Sequence, residues 1–356
     1  MIRSPLLADR LLEWYATAKR AMPWRGTRDP YAIWISEMML QQTQVATATP
    51  YWLRWMERFP TVDALAAAPL EAVLAQWQGL GYYARARNLH AAARVVSGEL
   101  GGRFPETAEG LARLPGVGRY TAGAIASIAF GADTPVVDAN VVRVLCRLEG
   151  IDDDPKSAAV QARLWQRAGE LLPAGRAGDF NQALMELGAL VCQPKPRCEA
   201  CPWRDNCAAH ASGTPDAFPA RAARKQFTEH RDVCAVVRRG DAVLLVRRPL
   251  DGLWGGLWEM PRVEANPGEE SGTAAERACR EVAGVDAVAG AELVRVRHGV
   301  TTRRITLLAV ECAVDPGAEP IARTGMDVAW VGPGERKAHP LSSPQAKVWR
   351  AVVGEA

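Results

Sequence analysis

No apolar run in this chain is long enough to cross a bilayer. The N-terminal stretch MIRSPLLADRLLEWYATAKRAMPW carries acidic residues and tryptophan where a signal peptide needs an unbroken apolar core. A cytoplasmic location with no membrane association is therefore expected. Eight cysteines among 356 residues are too few for a disulfide scaffold. A net charge of +3 announces no polyanionic partner. Internal repeats and low-complexity tracts are absent as well. Lysine is scarce: residues 79–147 hold eight arginines and no lysine, against five acidic residues. Arginine suits forked contacts with phosphate, but an Arg-rich composition throughout explains the same count, so charge alone decides nothing.

What is present fits a soluble globular chain: 48% hydrophobic and 23% charged residues. Its length exceeds one comfortable core, and two domains are expected. Residues 6–190 are dominated by helical patterns, punctuated by Pro60, Gly98, Pro115, Gly131, Pro135, Gly150 and Pro173. ASGTPDAFPARAARKQ (211–226), polar, basic and proline-containing, reads as a linker. From 229 the texture changes. DVCAVVRR-GDAVLLVRR reads as a hairpin, ELVRVRH, TRRITLLAVECAV and VAWV as further strands, and SGTAAERACREV as one helix. The division expected is 1–210, a linker over 211–228, and an α+β domain over 229–356.

Three local patterns carry chemistry. In SEMMLQQTQV (36–45), the carboxylate Glu37 sits in an apolar helical run with Trp34, Ile35, Met38, Met39 and Leu40 within a turn of it. Desolvation there raises a carboxyl pKa towards neutrality; a partner such as Arg25 would instead make it an ordinary buried ion pair. In LARLPGVGRYTAGAIAS, the glycines Gly116 and Gly118 flank Val117 between two helical segments, and both can take positive φ. The amides of Gly116 to Arg119 then open a helix, an arrangement that can seat a phosphate. In TPVVDANVVRV, Asp138 occupies an N-cap position. Helix N–H bonds would hold its pKa low and keep it ionised. Separately, Cys192, Cys198, Cys201 and Cys207 have the spacing C-x5-C-x2-C-x5-C, which suits thiolate ligation of Zn²⁺ or a [4Fe–4S] cluster and does not choose between them.

MPWR, ISEMMLQQTQV, WQGLGYYARARNL, LPGVGRYTAGAI, VVDANVVRV and the four-cysteine module, in this order, resemble the MutY family of adenine DNA glycosylases, in the helix-hairpin-helix superfamily. The likeness is dense over about residues 10–210. It implies a mainly α helix-hairpin-helix glycosylase fold with a four-Cys cluster module, followed by an α+β Nudix-like domain. The implied substrate is double-stranded DNA with adenine opposite 8-oxoguanine or guanine, the adenine being extruded from the stack, and the enzyme a monomer. Glu37 corresponds to the acid that protonates adenine at N7. Asp138 would stabilise the oxocarbenium-like sugar, by charge alone or by a covalent bond. Asn140 would bond the site or the second carboxylate. Tyr120, where strand-cutting relatives carry lysine, would position Asp138 and the sugar; without an amine, the enzyme would leave an abasic site uncut.

The resemblance also places Trp24 and Arg25 in the adenine pocket, Gln42 as a wedge in the base stack with Thr43 beside it, and Leu80 and Tyr82 next to the guanine. It favours iron–sulfur over zinc, although the first cysteine gap is one residue shorter than is usual. In the second domain, GLWGGLWEMPR and ACREVAGV resemble pieces of a Nudix fold, but Val-Ala-Gly stands where a hydrolase needs a glutamate cluster for Mg²⁺. The family's Phe-Ser-His loop is replaced by Val300-Thr301-Thr302, in which Thr301 keeps a hydroxyl. Alternatives are a G·T thymine glycosylase, an endonuclease III-like lyase, or a DNA-binding module without catalysis; Glu37 and Asp138 have no purpose in the last.

Overall fold

The computed structural model describes residues 4–220, 226–321, 323 and 327–354. Residues 221–225 of the expected linker lie outside the described residues. The chain divides into two compact units, Met1–Ala67 with Ala91–Ala223, and Ala68–His90 with Arg224–Ala356.

The first unit is helical, as its periodicity indicates. It contains α1 (Ser4–Ala18), α2 (Pro30–Leu40), α3 (Val45–Arg58) and α4 (Val62–Ala67). Helix α5 (Leu70–Trp77) and the start of α6 (Ala84–Gly98) belong to the second unit. The first unit resumes with α7 (Ala108–Leu111), α8 (Arg119–Phe130), α9 (Ala139–Glu149), α10 (Ala158–Leu171), α11 (Ala177–Leu190) and α12 (Ala208–Ala211). Helices α1, α9, α10 and α11 meet around Leu11, Leu145, Leu164, Phe180 and Leu184, all fully buried. Trp203, in the cysteine module, joins this core and donates its indole N–H to the Leu7 carbonyl.

Helix α2 is buried nearly all round, from Tyr31 to Met39, so it runs through the unit rather than along its surface. Asp29 caps it, accepting from the amides of Tyr31 and Ala32, and Pro30 pre-sets the first turn. The helix ends at Leu40. Gln42 adopts φ +56°, so Gln41–Gln44 form the turn into α3 rather than a continuation of α2.

The second unit is built on a seven-stranded sheet in the order β3-β2-β1-β6-β5, with β4 on β1 and β7 on β2. The strands are β1 (Thr228–Arg239), β2 (Ala242–Arg247), β3 (Trp258–Glu259), β4 (Arg262–Glu264), β5 (Ala287–Val300), β6 (Arg303–Val314) and β7 (Val328–Val331). The expected hairpin forms: Arg239 pairs with Ala242 around Gly240-Asp241. Strand β1 is buried on both faces. Val233, Ala235 and Val237 pack with helix α13 (Ser271–Ala283), while Cys234 and Val236 pack with helix α14 (Ser343–Val353). One helix was expected in this region; α14 is a second, closing the opposite face.

Candidate active site

Helices α2, α3, α8, α9, α10 and α11 of the helical unit, with the turns at Trp24 and Gln42, converge on one cavity of about 1120 Å³. Trp24, Arg25, Glu37, Gln42, Thr43, Tyr120, Asp138 and Asn140 all line it. Close backbone approach makes the convergence possible. A Cβ at Gly123 in α8 would stand 2.7 Å from the Pro135 carbonyl oxygen, and one at Gly188 in α11 would stand 2.6 Å from the Asn140 Cβ. Any side chain at either place would push the Asp138 segment away from its neighbours.

Glu37 is 6% exposed. Burial pushes its carboxyl up from 4.5 to about 7, and the charge of Asp138 adds to the rise; the Tyr120 hydroxyl and the Arg25 cation oppose it. The Tyr120 hydroxyl lies 2.5 Å from Glu37 Oε2 and 3.2 Å from the Met185 sulfur. The resemblance implies that Tyr120 positions Asp138 and the sugar. The hydroxyl's bond is instead to Glu37, because α8 lays the ring against α2.

Asp138 caps α9 as expected, with Oδ1 accepting from the Val141 amide at 2.7 Å and Oδ2 from Asn140 Nδ2 at 3.0 Å. Its pKa is not held low. Burial raises it, and the Val141 amide, Asn140 and the Arg143 cation only pull it part of the way back. The two carboxyls thus differ in their donors: Glu37 has one phenol, whereas Asp138 has a helix amide, a carboxamide and a nearby guanidinium.

Arg25 does not pair with Glu37. Its guanidinium lies 3.3 Å from Glu186, a buried carboxylate that Arg20 grips through two nitrogens at 2.8 and 2.9 Å. These cations hold the Glu186 carboxyl below the usual range despite burial. Sequence reasoning missed Glu186 and Met185, although ALMELGAL shows the signal that singled out Glu37, a lone carboxylate in an apolar helical run. Arg143 was missed too. It donates to Asn140 Oδ1 at 2.8 Å, to the Gly188 carbonyl at 2.8 Å and to the Cys192 carbonyl at 2.7 Å, and so holds the carboxamide that serves Asp138.

In the turn before α8, Gly116 takes φ +71°. Gly118 is extended, at φ −83°, and needs no glycine freedom; it is the N-cap, and no side chain caps the helix there. Val117 is buried, while Arg119 lays its guanidinium 3.8 Å from the Trp165 ring centroid.

The cysteine module follows α11. Arg147, itself buried, places one guanidinium nitrogen 3.4 Å from Cys192 Sγ and 2.6 Å from the Gln193 carbonyl, and the other terminal nitrogen on the Pro194 carbonyl. The four thiols are near enough to perturb one another; burial pushes Cys201 up to about 12, and its three partners add to the rise. Four neighbouring thiols beside a fixed guanidinium are the donor types of a thiolate-ligated centre. Among the described residues no group of three or more His, Cys, Asp or Glu side chains is arranged to hold a metal ion. No helix among them is long and apolar enough to cross a membrane.

In the second unit, Leu80 is buried and Tyr82 is 53% exposed, so Tyr82 is no core aromatic. Thr301 stands at the β5–β6 hairpin tip, exposed, with its hydroxyl on the Val300 carbonyl. Helix α13 stops at Ala283, with Gly284 left-handed behind it, at the place where a Nudix hydrolase would carry its glutamates.

Known proteins show the same architecture. Residues 35–170 match the HhH-GPD superfamily of base excision DNA repair proteins, and residues 233–351 match the NUDIX domain. A solved thermostable thymine-DNA glycosylase superposes with a TM-score of 0.54 at 33% identity, over 59% of this chain and 97% of its own. The class is therefore a helix-hairpin-helix base excision glycosylase carrying a Nudix-like domain. The adenine DNA glycosylase of Homo sapiens is 40% identical over 97% of this chain and 73% of its own length. That of Rattus norvegicus is 46% identical over 72% of this chain and 60% of its own. The chain belongs to the adenine DNA glycosylase family.

Proposed function

We propose that this enzyme removes adenine paired with 8-oxoguanine or guanine in double-stranded DNA, hydrolysing the N-glycosidic bond of an extruded base and leaving an abasic site. One observation carries the reading: two carboxyls of different donor environment, Glu37 and Asp138, line one cavity large enough for a base, and burial keeps Glu37 protonated up to about pH 7. Protonated Glu37 delivers its proton to adenine N7, making the base a better leaving group. Asp138, held by Val141 and Asn140, meets the oxocarbenium-like sugar in its ionised form. Tyr120 orients Glu37; having no amine, it forms no Schiff base, and the strand stays uncut.

Trp24 and Arg25 frame the base, with Glu186 fixing the guanidinium. Gln42 and Thr43 fill the emptied stack, Leu80 and Tyr82 flank the guanine, and Thr301 approaches 8-oxoguanine. The amides of Gly116, Val117, Gly118 and Arg119 seat a phosphate. Cys192, Cys198, Cys201 and Cys207 hold a [4Fe–4S] cluster rather than Zn²⁺; it would brace a basic loop containing Lys195, Arg197 and Arg204 against the DNA backbone. The working form is a cytoplasmic monomer in which 1–210 acts on the adenine, 211–228 links, and 229–356 reads the opposite base.

Likeness to a thymine-DNA glycosylase keeps one rival reading in view. Duplexes with 8-oxoguanine·A, G·A and G·T pairs, assayed for the free base and for strand breaks without alkali, separate the two. Adenine release without breaks supports the reading; thymine release, or breaks appearing at the rate of base release, overturns it.

A further inference from the structure

Among the described residues, four that are not glycine hold the left-handed backbone conformation: Gln42 at φ +56°, Tyr82 at +48°, Trp254 at +59° and Thr301 at +53°. Such backbone persists only where its surroundings enforce it, and it gathers where a chain must present a side chain to a ligand. Thr301 is the clearest case, since β-branching makes positive φ a true outlier. Three of these four are the residues proposed above to meet DNA at the emptied stack and the opposite base. Trp254 is the fourth, and no role has been assigned to it.

Its setting within the second unit parallels that of Tyr82. The Tyr82 ring has the Arg85 guanidinium 5.6 Å from its centroid, and the Trp254 ring has the Arg262 guanidinium at 4.7 Å. Arg262 is pinned between Asp232 at 3.3 Å and Glu259 at 3.5 Å, so the indole rests on a fixed cation. The Trp254 loop is tied to both neighbouring elements of interest. Arg87, just past Tyr82, donates to the Gly255 carbonyl at 2.8 Å. His298, three residues before Thr301 on β5, lies 5.7 Å from the Trp254 ring. Trp254 is partly exposed.

We propose that Trp254 is a further DNA contact, a rigid aromatic platform that stacks on a nucleobase of the strand carrying guanine or 8-oxoguanine. Aromatic faces accept any base, and a guanidinium behind the ring stiffens and polarises it. The proposal rests on the adenine-glycosylase reading and deepens it on the side of the opposite base.

The test compares the full-length enzyme with Trp254→Gly and Trp254→Phe. Glycine adopts φ +59° freely, so it removes the ring without straining the loop. Affinity is measured for a duplex with an uncleavable abasic analogue opposite 8-oxoguanine, together with the rate of adenine release at saturating enzyme and the thermal midpoint. Trp254→Gly should bind about tenfold more weakly, with its saturated rate and melting point kept, and Trp254→Phe should recover most of the affinity. Unchanged affinity in Trp254→Gly overturns the proposal, as does a loss matched by a fall in melting point or a phenylalanine variant as weak as glycine. If wild type releases no adenine from any duplex, the function reading fails, while the affinity arm still judges Trp254.

Discussion

The Tyr120 hydroxyl stands 2.5 Å from Glu37 Oε2 and opposes the burial that raises that carboxyl. A phenol that donates to a carboxylate favours its ionised form. Tyr120 therefore sets how far above its ordinary range Glu37 can hold a proton.

Removing the hydroxyl should move the limit. In Tyr120→Phe the Glu37 pKa rises above about 7, and the alkaline limb of the saturated rate moves to higher pH, while the maximal rate falls because the carboxyl is less well oriented. Single-turnover rates across pH measure this. A limb that stays put or moves down means that the bond is not made in the working enzyme.

Glu37→Gln should abolish adenine release while leaving duplex affinity within about threefold of wild type, because an amide is isosteric but carries no transferable proton. Gel-shift titration beside a base-release assay checks both. Turnover near that of wild type would remove Glu37 from the mechanism.

The same substitution should change stability with the opposite sign. Glu37 has its folded-state pKa raised from 4.5 to about 7, so its stabilising protonated form is complete below 4.5 and is lost as pH rises through about 7. At about pH 8 the buried carboxylate costs the wild type on the order of 3 kcal/mol. Glu37→Gln should melt higher than wild type there, with the gap closing as pH falls to about 5. Melting curves at both ends of that window decide it.

Asn140→Ala should act on the other limb. Losing the Asn140 donor leaves Asp138 with less support for its charge, so its pKa, already raised by burial, climbs further. The acid limb of the rate profile then moves to higher pH and the alkaline limb does not. A shift in both limbs would show that the two carboxyls are not served separately.

Cys201→Ser should lose iron, acid-labile sulfide and the visible charge-transfer absorption of thiolate-bound iron, and should melt at a lower temperature. Metal analysis of freshly purified wild-type protein is the control; zinc without sulfide would sink the cluster assignment.

Most helices before residue 171, the Gly240-Asp241 hairpin and the capping role of Asp138 were legible, because each follows from short-range periodicity or turn chemistry, whereas α11 was not singled out. Strands β3 and β4 were not: at two and three residues they are too short to show alternation, and their partners alone define them. Helix α14 was missed although SPQAKVWRAVV carries an amphipathic pattern, as its apolar stripe acquires meaning only against the sheet face that it covers.

The amino-acid order alone determined which carboxylates stand in apolar surroundings and which cap a helix, since both properties depend on neighbours within one turn. Only the tertiary structure decided their partners: Tyr120 on Glu37 rather than Asp138, Glu186 on Arg25, Arg143 behind Asn140. It also reversed the expected direction of the Asp138 pKa, because desolvation is a sum over everything packed around a group, and most of those atoms come from elsewhere in the chain.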